Sequence, residues 1–320
     1  MAKYSLSSKI IFLLLFLFST VKAQNLSIAS FSRLGFGSRG IALGNAMGSV
    51  TYGEVTGYYN PAVLPFANLK KASLTIGILS LDRNLDFLHY TQSLYPTAGF
   101  SIFLIRAGVK NIEARDADGY IIENLNTSEY LLGFSFSNRI VNKLSIGISL
   151  KFYYNKLYHE VKSQTLGIDF GTLFQLNDNI SFAFSIHDLN SGYKWDSSII
   201  YQEKGRTFTE KFPVTKRFSA SYVLKDILLF SADLNVIGVE KKFNFGTEIF
   251  PLYFLSKQFK NIASNFCIRG GVEFFDYVRF STGFGISRKV GNFTFTFDYT
   301  YKFERYAPSG IQFLTIGIEI

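Results

Sequence analysis

Residues 293–304 read Phe-Thr-Phe-Thr-Phe-Asp-Tyr-Thr-Tyr-Lys-Phe-Glu, aromatic and polar side chains in strict alternation. Side chains on a strand point to opposite faces with a period of two. One face is therefore Phe293, Phe295, Phe297, Tyr299, Tyr301 and Phe303, and the other is Thr294, Thr296, Asp298, Thr300, Lys302 and Glu304. Either a second sheet or a bilayer must cover the aromatic face. The rest of the chain points to the bilayer.

Period-two segments recur from about residue 72 to the end. Ile146, Ile148, Leu150 and Phe152 alternate with Ser145, Gly147, Ser149 and Lys151, and Leu314, Ile316, Ile318 and Ile320 with Thr315, Gly317 and Glu319. The second face is repeatedly small or charged, which suits a crowded polar lumen better than a dry core. Fourteen such segments start near Ala72, Asn84, Thr97, Ser128, Asn142, Ser163, Asn179, Pro213, Asp226, Lys242, Ala263, Val278, Gly291 and Ser309. The fold class expected is all-β, a transmembrane antiparallel barrel of about 14 strands. Its inward charges are Lys151, Asp169, Asp233, Glu248, Arg269, Glu273, Asp298, Lys302 and Glu319. A Lys or Arg on the lipid face would cost about 2–4 kcal/mol at mid-bilayer, so regular placement on the other face is informative.

Composition agrees. Aromatics make up 17% of the chain, with 35 Phe and 19 Tyr against one Trp, yet no apolar run past the N-terminal leader could span a bilayer as a helix. With both ends in the periplasm, the longest connections, 108–127 and 189–212, fall outside, and tight turns at 176–179 and 224–226 fall inside. That is the asymmetry of an outer-membrane barrel. The exception is a long inner connection at 251–262. Tyr193 and Trp195 in the second outer loop are candidates for contact with a partner.

The N-terminus specifies export. Lys3 and Lys9 flank a polar start, residues 10–18 are apolar, and Val21-Lys22-Ala23 offers a cleavage site, so residues 1–23 read as a signal peptide. Losing it lowers the net charge from +9 to +6, and the remaining basic residues are scattered, so no nucleic-acid partner is expected. Cys267 is the sole cysteine, which leaves neither a disulfide framework nor a Cys-based metal site. Residues 24–71 lack strand periodicity. Gly35, Gly37, Gly40, Gly44, Gly48, Gly53 and Gly57 interrupt them, and Asn60-Pro61-Ala62 and Pro65 close them. This segment would either fold into the lumen as a plug or remain a periplasmic tail, ahead of a barrel at 72–320.

Several motifs carry less than they suggest. Gly35-Phe36-Gly37-Ser38-Arg39-Gly40 matches a dinucleotide fingerprint, but no buried strand precedes it and the chain is exported. Gly40, Gly44 and Gly48 make a G-x-x-x-G run without an apolar helix, which suits close packing of a short helix. Asp116-Ala117-Asp118-Gly119 lacks the further ligands of a calcium loop and reads as a turn. His89, His159 and His187 have no metal spacing, and Asp188 would face away from His187 on a regular strand. No enzyme activity, cofactor or metal is expected.

Several segments together resemble the PorV/PorQ family of outer-membrane barrels, a branch of the FadL-like group. They are the glycine-rich opening Gly37, Gly40, Gly44; the Asn60-Pro61-Ala62 motif; residues 145–151 (SIGISLK) and 166–174 (LGIDFGTLF); and Gly246-Thr247-Glu248 ahead of Arg269-Gly270-Gly271. The resemblance implies a 14-stranded outer-membrane barrel with residues 24–71 as a luminal hatch. It implies an accessory of type IX protein secretion, whose partners would be secretion components and secreted proteins. The alternative, implied by the FadL-like group, is a channel for long-chain fatty acids or other hydrophobic compounds. Outer-membrane lipid surrounds the barrel in either case.

Overall fold

The computed structural model describes residues 28–66, 70–158, 161–224, 227–251, 266–305 and 307–320. The strands are β1 (Lys70–Ile78), β2 (Arg83–Leu94), β3 (Ala98–Val109), β4 (Ile112–Arg115), β5 (Ile121–Leu125), β6 (Ser128–Val141), β7 (Leu144–Tyr158), β8 (Val161–Gln175) and β9 (Ile180–Leu189). They continue with β10 (Gly192–Asp196), β11 (Thr207–Lys211), β12 (Thr215–Leu224), β13 (Leu228–Ile237), β14 (Glu240–Ile249), β15 (Phe266–Phe274), β16 (Val278–Val290), β17 (Phe293–Glu304) and β18 (Ala307–Glu319). Fourteen of them close an antiparallel barrel in chain order, with β1 sealed against β18 from Lys71–Glu319 to Ile78–Gln312. Closure leaves no sheet edge exposed, as a bilayer requires.

Each strand expected from periodicity coincides with one barrel strand. The two additional hairpins, β4–β5 and β10–β11, stand inside the two longest loops and escaped the sequence reading. Both loops lie at the distal rim, opposite the proximal rim where β1 begins and β18 ends. Most of the connection after β14, together with His159 and residues 1–27, falls outside the described residues.

Alternation sets the faces. In β17, Phe293, Phe295, Phe297 and Phe303 are exposed, whereas Asp298, Thr300 and Lys302 are buried. Outward Phe134, Phe170, Phe230, Phe280 and Ile316 continue an apolar belt on other strands. So large an apolar surface is stable only against lipid.

The barrel is not hollow. Residues 28–66 form a mostly buried stretch containing the helix α1 (Gly37–Ala42) and a 3-10 helix at Pro61–Phe66. Helix α1 packs on β1 and β15–β18, and the 3-10 helix on β2, β3, β6, β7 and β8. The small inward residues make room for it. Gly44, at φ +60°, brings its backbone against Val272 N and Phe245 O of the wall, where an added Cβ would stand 2.8 and 2.9 Å away. At Gly147 an added Cβ would stand 2.7 Å from the Pro61 carbonyl carbon.

Candidate functional site

Of the inward charges singled out from sequence, Glu319 is half-buried at the proximal rim and the other eight are buried, meeting the N-terminal segment in discrete clusters. At the proximal end, Glu248 receives a two-pronged contact from Arg39, with Nε at 3.0 Å and Nη2 at 2.9 Å, and a third from Arg269 Nε at 2.5 Å. Arg269 also reaches Asp298 at 2.5 Å, and the Tyr52 hydroxyl donates to Glu248. The remaining Arg39 donor is taken by the carbonyls of Tyr52 (2.8 Å) and Glu54 (3.0 Å). A guanidinium fork suits this pattern because it donates in a fixed plane to several acceptors.

Nearer the distal rim, Glu273 accepts from Lys242 (2.6 Å), Lys302 (2.7 Å) and Asn45 of the N-terminal segment (2.9 Å). Asn45 in turn accepts from the Tyr59 hydroxyl at 2.8 Å. On the opposite wall, Lys151 bridges Asp169 at 2.7 Å and Asp188 at 3.1 Å. Asp233 accepts from Gly48 N at 3.1 Å, with Arg217 at 3.7 Å. A fourth contact ties Glu54 to Lys71 at 2.9 Å and to Ser73 at 3.0 Å, with His89 at 3.9 Å. Burial pushes the Glu54 carboxyl up, but Lys71 and His89 outweigh it and hold the group at about 2, below the usual carboxylate range.

Three sequence expectations need correction. Asp188 does not face away from His187: the β8–β9 register slips between Ile168–Leu189 and Phe170–Ile186, and Asp188 adopts φ +63°. This bulge turns both His187 and Asp188 into the lumen, and period-two reasoning cannot see a bulge. Gly40, Gly44 and Gly48 do not form one helix face, since α1 ends at Ala42. They approach the Tyr59 ring, the β14–β15 backbone and Ser219 respectively. Tyr193 and Trp195 turn inward, where Tyr193 packs on Phe212 (4.8 Å) and Trp195 (5.3 Å), and the Trp195 indole N–H donates to Glu210 at 2.8 Å. Burial pushes the Tyr193 hydroxyl up.

Arg39, Glu54, Lys71 and Lys242 were missed. Lys242 was legible, because it shares a face with Asn244, Gly246 and Glu248 at a period of two. Of the Asn60-Pro61-Ala62 motif, Asn60 donates to Gly48 O (2.8 Å) and accepts from Ala62 N (3.0 Å), and the Ala62 carbonyl accepts from Ser145. Gly37 opens α1 at φ +68°, and among the described residues no strand precedes it, so the dinucleotide geometry is not seen there. Asp116 Oδ1 accepts from Asp118 N and Tyr120 N, the turn that sequence suggested.

One alignment of side chains invites a chemical reading. Ser185 Oγ lies 2.8 Å from His187 Nε2, and His187 Nδ1 lies 2.9 Å from Asp169 Oδ2, the order of a nucleophile, base and orienting acid. Ser185 is 1% exposed, however, and pairs with Gly171, against which Asn60 and Pro61 pack. The N-terminal segment packs against this stretch of wall.

A cavity of about 230 Å3 opens at the distal mouth. Leu34, Leu79, Leu85, Ile311 and Phe313 give it an apolar side, while Arg33, Lys242, Arg279 and Lys302 line the other together with Glu273 and Glu304. Below it, a space of about 50 Å3 is lined by Lys151, His187, Asp188, Arg217 and Asn244. An apolar solute could rest in the first chamber, but entering the second would cost free energy, because it would strip water from charged groups.

Solved structures share this architecture. The toluene transporter TodX of Pseudomonas putida superposes with a TM-score of 0.61 at 11% identity, over 89% of this chain and 96% of the other. The toluene transporter TbuX of Ralstonia pickettii gives 0.59 at 12%, over 89% and 98%. A FadL homologue of Pseudomonas aeruginosa gives 0.60 at 9%, over 89% and 97%. The fold is FadL-like. No protein-family model and no curated protein matches the sequence. The likeness of this FadL-like barrel to the hydrocarbon transporters is one of fold. At 9–12% identity it does not extend to individual side chains.

Proposed function

We propose that this chain is an outer-membrane channel for small hydrophobic compounds, exported by residues 1–23, with residues 24–71 as a luminal hatch. The observation that carries the reading is the distal cavity, apolar on one side and rimmed by Lys242 and Lys302, with Leu34 of the hatch in its lining. Among the described residues, ion pairs and the hatch occupy much of the lumen, which does not favour a polar solute. An apolar one meets a chamber that suits it. The fold shared with hydrocarbon transporters supports the same reading. The polar side carries four basic residues against Glu273 and Glu304, an excess that favours compounds with an anionic head, such as long-chain fatty acids, over plain hydrocarbons.

Uptake of radiolabelled toluene and laurate by cells with and without the protein tests this. Faster uptake is expected, and Leu34→Trp, which fills the chamber, should abolish the gain. If neither compound enters faster and the purified barrel binds neither, the reading fails.

A second reading, a secretion accessory of the PorV/PorQ kind, finds one support: the β4–β5 hairpin projects with Tyr120 at 74% and Ile122 at 68% exposure. Deleting 112–125 should then abolish co-purification of secreted proteins from outer membranes while the barrel still assembles. Deleting 189–212, the loop first suspected, would instead remove packing from the mouth.

A further inference from the structure

We propose that a groove on the bilayer side of the distal rim binds one acyl chain of a phosphate-bearing outer-leaflet lipid. The β17–β18 ladder runs regularly to Lys302–Ile311, then jumps to Glu304–Ala307, so residues 308–310 oppose the single residue 303. A bulge of this kind removes ladder hydrogen bonds where the strands meet the membrane boundary. Backbone groups freed there must find polar partners, since hydrocarbon offers none.

Beside the bulge lies a cavity of about 310 Å3, lined by Tyr277, Val278, Tyr301, Phe303, Arg305 and Gly310, with Glu304 at its edge. Tyr301 and Phe303 belong to the aromatic outward face of β17. Val278 lies in step with exposed Phe280 on β16, so the groove opens to lipid and not to the lumen. Gly310 sits at φ +63°, and a Cβ there would collide with the Tyr301 ring, so the aromatic lies directly on the backbone as one wall. The occupant is dictated by this position. The walls are apolar and continuous with the lipid-facing belt, which suits an acyl chain.

Charge at the rim selects the head group. Arg305 is exposed at the top of the groove. Arg279, on the other face of β16, lines the mouth cavity and is held by Asp276 at 2.9 Å, so Arg305 is the cation that lines the groove. A phosphate seated there meets Arg305 directly and presents oxygens to the backbone of the bulge. Glu304 borders both this groove and the mouth cavity, so the lipid would lie against the wall that separates the two.

Native mass spectrometry of the full barrel in detergent, titrated with dioleoyl phosphatidylglycerol, tests the site, with heat-modifiable gel migration confirming that each variant is folded. One lipid should be retained per barrel. Retention should vanish in Val278→Trp, which fills the groove, and weaken about tenfold in Arg305→Glu. Phe280→Trp, on the same face outside the groove, should keep it. Equal retention by Val278→Trp and Phe280→Trp, or none by the unaltered protein, overturns the site. Equal retention of dioleoylglycerol, which lacks phosphate, overturns the head-group assignment. The measurement reads lipid alone, so its failure is separate from any failure of the transport reading.

Discussion

Two glutamates hold the N-terminal segment, and they do so differently. Glu248 is gripped by Arg39, Arg269 and Tyr52 in a proximal cluster whose donors are planar forks. Glu273 is held by Lys242, Lys302 and Asn45 beside the open mouth cavity. Arginines fix direction as well as charge, whereas lysines are mobile point charges that can exchange partners. The first cluster is built to stay closed, and the second can answer to what occupies the mouth.

Substitution should separate them. Glu248→Ala leaves Arg39 without a carboxylate and Arg269 with Asp298 alone, and a loss of about 3–5 kcal/mol is expected. Urea unfolding followed by gel migration would show it, with increased conductance in planar bilayers as the N-terminal segment loosens. Glu273→Gln keeps the side chain's shape but turns one acceptor oxygen into an amide donor facing a donor; the site borders the mouth cavity, where water can reach the lysines, so about 1–3 kcal/mol is expected. Equal losses at the two sites would break the contrast.

Acid should distinguish a third contact. Glu54 has its carboxyl lowered from 4.5 to about 2, so its stabilisation is complete above 4.5 and disappears as pH falls towards 2. Unfolding midpoints of the native chain and Glu54→Gln should therefore converge between pH 4.5 and 2. A constant gap over that window would show that the Lys71 pair does not act through charge. The smallest effect belongs to the inward-turned loop: Trp195→Phe removes one hydrogen bond to Glu210 and should cost about 1 kcal/mol, read as a small fall in thermal midpoint.

Strand number, facing and the inward position of eight charges were legible because a strand's two faces differ in solvent, and period two records that directly. Lys242 could have been added on the same grounds. Asp188 could not, because one positive-φ residue in a bulge reverses the facing of its neighbours. Nor could Arg39, whose neighbours advertise only glycine. The two distal hairpins are likewise hidden: Tyr193 and Trp195 look like exposed loop aromatics until the hairpin folds Trp195 onto Tyr193, and Tyr193 onto Phe212 and, through it, Tyr153.

What sequence alone determined is the barrel: alternation over fourteen segments must put one face in lipid and one in the lumen, and closure is required by the need to pair every strand edge. What only the tertiary structure decided is how the lumen is filled. Pairings such as Arg39–Glu248 and Asn45–Glu273 join residues more than two hundred positions apart, and no local period encodes which inward charge will meet which turn of the segment inside.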